Sequence, residues 1–199
     1  MSRIPLNPSL GEFKDLSSDF VAELLPLDSL EGFKLLYEQF KKRHPKADHY
    51  PYAYRLDEAG KSSDDGEPGG SAGRPLLSLL ADKDIEGAVI VARYFGGSKL
   101  GIPRLRRAFL SAAERAVEAA RFGSYQTVYR YSVEVDYSTY EILKNNAKRF
   151  SFSLVGVNFD VNVRATVLAR DKLDTLGEKV GIYDLDLGPA EETQVLKEE

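Results

Sequence analysis

Two stretches of strict period-two alternation do most to limit the fold. Tyr129, Tyr131, Val133, Val135 and Tyr137 are separated by Arg130, Ser132, Glu134 and Asp136, and Phe159, Val161, Val163, Ala165 and Val167 repeat the spacing. Successive side chains of a strand point to opposite faces, so each stretch predicts a strand with one buried and one solvated face.

Helical spacing falls between these strands and after them. Tyr140, Leu143 and Ala147 share one helical face, residues 151–157 read as a strand, a short helix is centred on Leu173 and Leu176, and residues 182–187 read as a closing strand. The resulting β-α-β-β-α-β order is that of a ferredoxin-like module.

Upstream, residues 13–27 predict a hairpin. Asp28 is placed to cap a helix, with Glu31 completing a loose capping box, and Leu30, Phe33, Tyr37 and Phe40 form its apolar face until His44-Pro45 ends it. Residues 49–56, HYPYAYRL, read as a strand, with Pro51 pointing to an edge or bulge. Residues 59–74 contain no large apolar side chain and predict a long loop. A short helix over 76–80, a buried strand over 88–95 and a helix over 103–121 follow, with Pro103 in the first turn of the last. Leu105, Ala108, Phe109, Ala112 and Ala116 make that helix's buried stripe.

The class is therefore α+β, with an N-terminal domain over 1–122, a ferredoxin-like domain over 123–190 and an acidic tail over 191–199. A hydrophobic content of 43% suffices for one good core or two small ones. Zero cysteines removes disulfides, thiol catalysis and cysteine-based metal sites. The opening MSRIPLNPSLGEF has no secretory core and no run approaches a membrane span, so a cytoplasmic protein is expected. A net charge of -4 means that nucleic-acid binding would need a local basic stripe.

Two motifs carry potential chemistry. In residues 63–73, SDDGEPGGSAG, the carboxylates of Asp64, Asp65 and Glu67 lie among residues suited to positive φ. A solvated turn-rich loop and a ligand- or cation-binding loop both fit, although the spacing is not that of a calcium loop. Residues 93–101, RYFGGSKLG, lead from a strand into a helix, and Arg93, Lys99, Arg104, Arg106 and Arg107 give this segment positive charge without an intervening acid. It is neither a Walker loop nor a dinucleotide fingerprint, and a plain strand-to-helix turn with arginines reaching into solvent also fits.

His44 and His49 are the only imidazoles. Ser71 and Asp64 could join one of them in a triad only without the sequence context of a nucleophile elbow. Tyr50, Tyr52 and Tyr54 share one strand face; exposed, they would stack on unpaired bases, but Pro51, Ala53 and Arg55 opposite them favour burial of the tyrosines.

Taken in order, KADHYPYAYRL, SDDGEPGGSAG, ARYFGGSKLG and the following RRAF resemble the signature of the IMPACT/YigZ family over about residues 11–120. The resemblance implies an N-terminal α/β domain similar to elongation factor G domain IV, followed by one similar to domain V. It also implies a translation-linked protein in contact with RNA or the ribosome; eukaryotic relatives are associated with restraint of the kinase that senses uncharged tRNA. Its site residues fall on His49, Asp64, Asp65, Gly66, Glu67, Ser71, Gly73, Arg93, Tyr94, Phe95, Gly96, Gly97, Lys99, Gly101 and Arg107. Where the family continues with two glycines and leucine, this chain has Pro103 and Arg104 before Leu105, which removes an N–H and adds a charged side chain to the turn.

The expectation is thus a binding protein with no cofactor or metal, acting on RNA or the ribosome. The alternatives are a metal-dependent hydrolase or small-molecule enzyme using Asp64, Asp65, Glu67 and His49, and a protein-interaction module with a protein partner.

Overall fold

The computed structural model describes residues 2–57 and 59–198, and the chain divides into two units, Met1–Ser124 with Lys197–Glu199, and Tyr125–Leu196.

In the first unit, β1 (Ile4–Pro5) is followed by a hairpin of β2 (Ser9–Asp15) and β3 (Ser18–Leu25), closed through Leu16 and Ser17 with Leu16 at φ 50°. Helix α1 (Leu30–Arg43) starts one residue later than its expected cap: Ser29, not Asp28, accepts the Gly32 N–H, while Asp28 accepts the Ser29 hydroxyl. A serine in extended conformation reaches that donor directly, and the aspartate is left to orient it. Then come β4 (Tyr52–Leu56), β5 (Ala59–Ser63), α2 (Gly73–Asp82), β6 (Gly87–Tyr94) and α3 (Ile102–Ala119).

These strands form an antiparallel sheet in the order β2-β3-β6-β4-β5. Strand β5 occupies part of the expected loop. With small and polar residues it buries no apolar side chain, and its pairing with β4 alone makes it a strand.

The period-two rule divides β6 between two cores. Ala88, Ile90 and Ala92 meet Phe33 and Phe40 of α1, whereas Val89 and Val91 meet Leu76 and Leu80 of α2 and Leu105 and Phe109 of α3. Both faces being covered, β6 reads as a continuous apolar run. Phe20 meets Phe109 edge to face at 5.0 Å. Tyr52 and Tyr54 lie 4.8 and 4.7 Å from the Phe33 ring, so the tyrosine stripe is packed beneath α1. Leu30, placed on the same helical face from sequence, is 49% exposed at the end of α1.

In the second unit, β7 (Phe122–Val135) enters from the first. It is followed by α4 (Tyr137–Asn146), β8 (Phe152–Phe159), β9 (Val163–Ala169), α5 (Leu176–Val180) and β10 (Glu191–Glu198). The sheet runs β1-β7-β9-β8, β1 pairing only with the first two residues of β7, β10 also pairing with β7, and β9 antiparallel to both its neighbours. The pairing of β10 with β7 and of β9 with β7 and β8 fits a ferredoxin-like order, and Tyr131, Val133, Val167, Leu143 and Leu176 build the core.

The second unit departs from three expectations. Residues 182–187 are not a strand: Leu185 and Leu187 reach the core, but the Leu185 N–H bonds to the Ile182 carbonyl and Gly188 N–H to Asp186, local turns in place of a ladder. The closing strand is instead the acidic segment read as a tail, since β10 pairs with β7 and half-buries Thr193 and Val195. Likewise Phe159 ends β8 and Val161 is 87% exposed in the connection, so the second alternating stretch is a strand only from Val163.

Candidate functional site

The acidic loop is built by its own carboxylates. Asp65 and Gly66, at φ 45° and 83°, occupy the middle of a turn closed by the Glu67 N–H on the Asp64 carbonyl, a geometry that demands positive φ at both positions. A second turn closes Ser71 N–H on the Pro68 carbonyl with Gly70 at φ 75°. Asp64 then accepts the N–H groups of Gly70, Ala72 and Gly73 at 2.8 to 2.9 Å, which ties the loop to the first turn of α2. Burial opposes the Asp64 charge, but these N–H groups outweigh it and hold the carboxyl below its ordinary pKa. Gly73 is required there, because a Cβ would stand 2.7 Å from the Ser63 backbone.

Asp65 fixes the segment that carries His49. Its carboxylate accepts the Tyr50 N–H at 2.7 Å and its carbonyl contacts His49 Nδ1 at 2.8 Å. A carbonyl only accepts, so Nδ1 carries the proton and Nε2 is the ring nitrogen left free. The Arg93 N–H donates to the His49 carbonyl at 3.0 Å and the Phe95 N–H to the Asp48 carboxylate at 2.8 Å, which seats His49 beside the end of β6.

There Arg93, on the α3 side of the sheet, donates through Nη1 to both oxygens of Glu67, at 2.7 Å each, with side-chain exposures of 7% and 1%. Its guanidinium also lies over the Phe95 ring, 5.2 Å from the centroid. Arg93 Nε and the Ser71 hydroxyl are buried without a hydrogen-bond partner among the described residues.

Around this pair lies a cleft of about 400 Å³ lined by His49, Glu67, Arg93, Phe95, Lys99 and Gly101, together with Pro68, Leu100, Ile102 and Leu105. Sequence reasoning did not name the last four as site residues; their signal was adjacency to the motifs and, for Leu105, the start of the apolar stripe. Asp64, Asp65, Gly66, Ser71 and Gly73 shape the loop without lining the cleft. Tyr94 faces the other side of β6, where its hydroxyl meets His44 Nδ1 at 2.8 Å. Gly96 is pressed against the Ser17 carbonyl, Gly97 takes φ 89°, and Gly101 caps α3 at φ 71°. Arg107 is exposed on α3 outside the cleft wall.

The charge added by Arg104 does not reach this turn. Its Nε donates to both oxygens of Asp15 at 2.9 and 2.8 Å, a further Nη2 contact completes the pair, and the hydrogen bond from Arg104 holds the Asp15 carboxyl below its ordinary pKa. Lys99, Arg106 and Arg107 are exposed and form no ion pair among the described residues. Among the described residues no three carboxylate or imidazole groups are gathered as a metal would need, and no helix is long and apolar enough to cross a membrane.

Residues 16–117 match the family profile described as the Impact N-terminal domain. YigZ of Escherichia coli is 30% identical over 140 residues, covering 67% of this chain and 69% of that protein. An IMPACT family member from Haemophilus influenzae is 26% identical over 166 residues, 80% of this chain and 81% of that one. The crystal structure of a hypothetical protein, 22% identical, covers 96% of this chain and 95% of its own at a TM-score of 0.62, a likeness of fold. The two-domain translational regulator Yih1 is 27% identical over 60% of this chain and 47% of its own, at a TM-score of 0.34. The chain belongs to the IMPACT family.

Proposed function

We propose that this protein is a non-enzymatic, cytoplasmic, translation-linked regulator that binds RNA or the ribosome through the cleft of the first unit and the start of α3. The observation that carries the proposal is the cationic segment itself: Lys99, Arg106 and Arg107 stand exposed in a chain of net charge -4 and form no ion pair among the described residues, although the charge of Arg107 also acts on Asp15. Lys99 in the same cleft as the open Phe95 ring, followed by two exposed arginines on α3, suits phosphate and base contacts. Family membership, with the RNA or ribosome contact the resemblance implies, supports the link to translation.

The hydrolase alternative draws on Asp64, Asp65 and Glu67, but their carboxylates are committed to three N–H groups, to the Tyr50 N–H and to Arg93. A protein partner is the remaining alternative.

The test is binding of labelled tRNA and of ribosomes across a salt series. Affinity is expected to fall steeply with salt, and Lys99→Glu with Arg107→Glu is expected to weaken binding and flatten the slope by about one contact each. Absent or salt-insensitive binding would overturn the proposal.

A further inference from the structure

Resting on that RNA-binding reading, we infer that the cleft is a subsite for a single unstacked nucleotide of an RNA strand, with its base against Phe95 and its phosphate at Lys99. Phe95, the first residue after core strand β6, is 43% exposed, although a ring so close to the core would ordinarily be covered. It is also held in place. The Arg93 guanidinium lies over the ring, Glu67 anchors that guanidinium, and the Phe95 N–H is bound to Asp48. A fixed ring with open surface is a stacking platform, and every base offers a π-face to it.

The remaining lining fits the same occupant. Leu100, Ile102 and Leu105 provide apolar walls, and Ile102 is 53% exposed. His49 offers Nε2 to a base edge, its Nδ1 proton being held by the Asp65 carbonyl. Glu67 brings no free negative charge, since both its oxygens are taken by Arg93 and the side chain is 1% exposed. Lys99 is thus the charge the cleft presents outward, with Arg106 and Arg107 on the following helix for neighbouring phosphates. A volume of about 400 Å³ lies in the range of small-ligand pockets. It admits one nucleotide and excludes a duplex, whose bases are stacked inside a helix and whose major groove is too narrow to present them.

The experiment compares an unstructured single-stranded RNA octamer with a blunt RNA duplex of equal phosphate number, by fluorescence anisotropy at fixed salt. The full chain and its Phe95→Ala, Phe95→Trp and Lys99→Ala variants are each first checked for an unchanged thermal melt. The wild type is expected to favour the single strand. Phe95→Ala should lose roughly 5- to 100-fold of single-strand affinity while leaving duplex affinity within twofold, and Phe95→Trp should retain single-strand binding. Lys99→Ala should weaken single-strand binding and lower its salt dependence. Equal affinity for both RNAs, or a Phe95→Ala effect under twofold, overturns the nucleotide subsite and leaves RNA binding standing. Failure of the wild type to bind either RNA overturns both.

Discussion

Arg93 Nη1 bridges both carboxylate oxygens of Glu67 at 2.7 Å across 26 residues of chain, and the pair is buried between the acidic loop and the end of β6. Removing one partner strands the other charge away from water. Glu67→Ala is therefore expected to cost about 3–5 kcal/mol, measured by urea unfolding at neutral pH. The double variant Glu67→Gln, Arg93→Met should recover much of that loss, because a neutral pair carries a smaller desolvation penalty. A loss under about 1 kcal/mol in Glu67→Ala would mean that water reaches Arg93 and that the pair does not hold the loop.

Asp64 makes the stability of the same loop acid-sensitive. Its folded pKa lies below its ordinary value of 3.8, so its contribution is fully present above that value and is lost as pH falls through the folded one. Asp64→Asn is expected to cost about 2 kcal/mol or more at neutral pH, since an amide cannot accept all three N–H groups with full charge. The gap between variant and wild type should then narrow as the pH is lowered below 3.8. Asp15, Glu134 and Asp136 are depressed as well, so the informative quantity is the difference between the two unfolding curves, not the acid limb of the wild type alone. A gap constant from pH 7 to pH 2 would contradict the assigned hydrogen bonds.

What the sequence discloses follows from how local each determinant is. Strand β6 was legible as an unbroken apolar run, the trace of a strand covered on both faces, and α3 through the helical spacing of Leu105, Ala108, Phe109, Ala112 and Ala116, all of them buried. Strand β5 leaves no such trace, because it is defined by backbone pairing to β4. Strand β10 was hidden by its charge, and residues 182–187 misled because Leu185 and Leu187 reach the core from turns that mimic alternation. In the site, the two motifs were legible as pieces. That Glu67 of one is spent on Arg93 of the other was not, and neither was the capture of Arg104 by Asp15 across 89 residues. Period two alone does separate Arg93 from Tyr94, a distinction the contiguous motif conceals.

The glycines of the two motifs are equally prominent in sequence and unequal in structure. At Gly96 a Cβ would stand 1.7 Å from the Ser17 carbonyl oxygen, a backbone atom held in the β2–β3 turn, whereas at Gly69 nothing lies within 4 Å. Gly69 also lacks a positive φ, so alanine there meets neither a neighbour nor backbone strain. Gly96→Ala must push the 95–97 connection away from the hairpin, and it is expected to lower stability by about 1–3 kcal/mol, the range for overpacking a close contact. Gly69→Ala is expected to leave stability unchanged or raise it by about 0.4–1 kcal/mol through the unfolded chain. Thermal unfolding of the two variants side by side checks both. Equal melting temperatures would mean that the Ser17 turn is free to move, and that the glycine-glycine pair is not needed to bring Phe95 and Lys99 to the cleft.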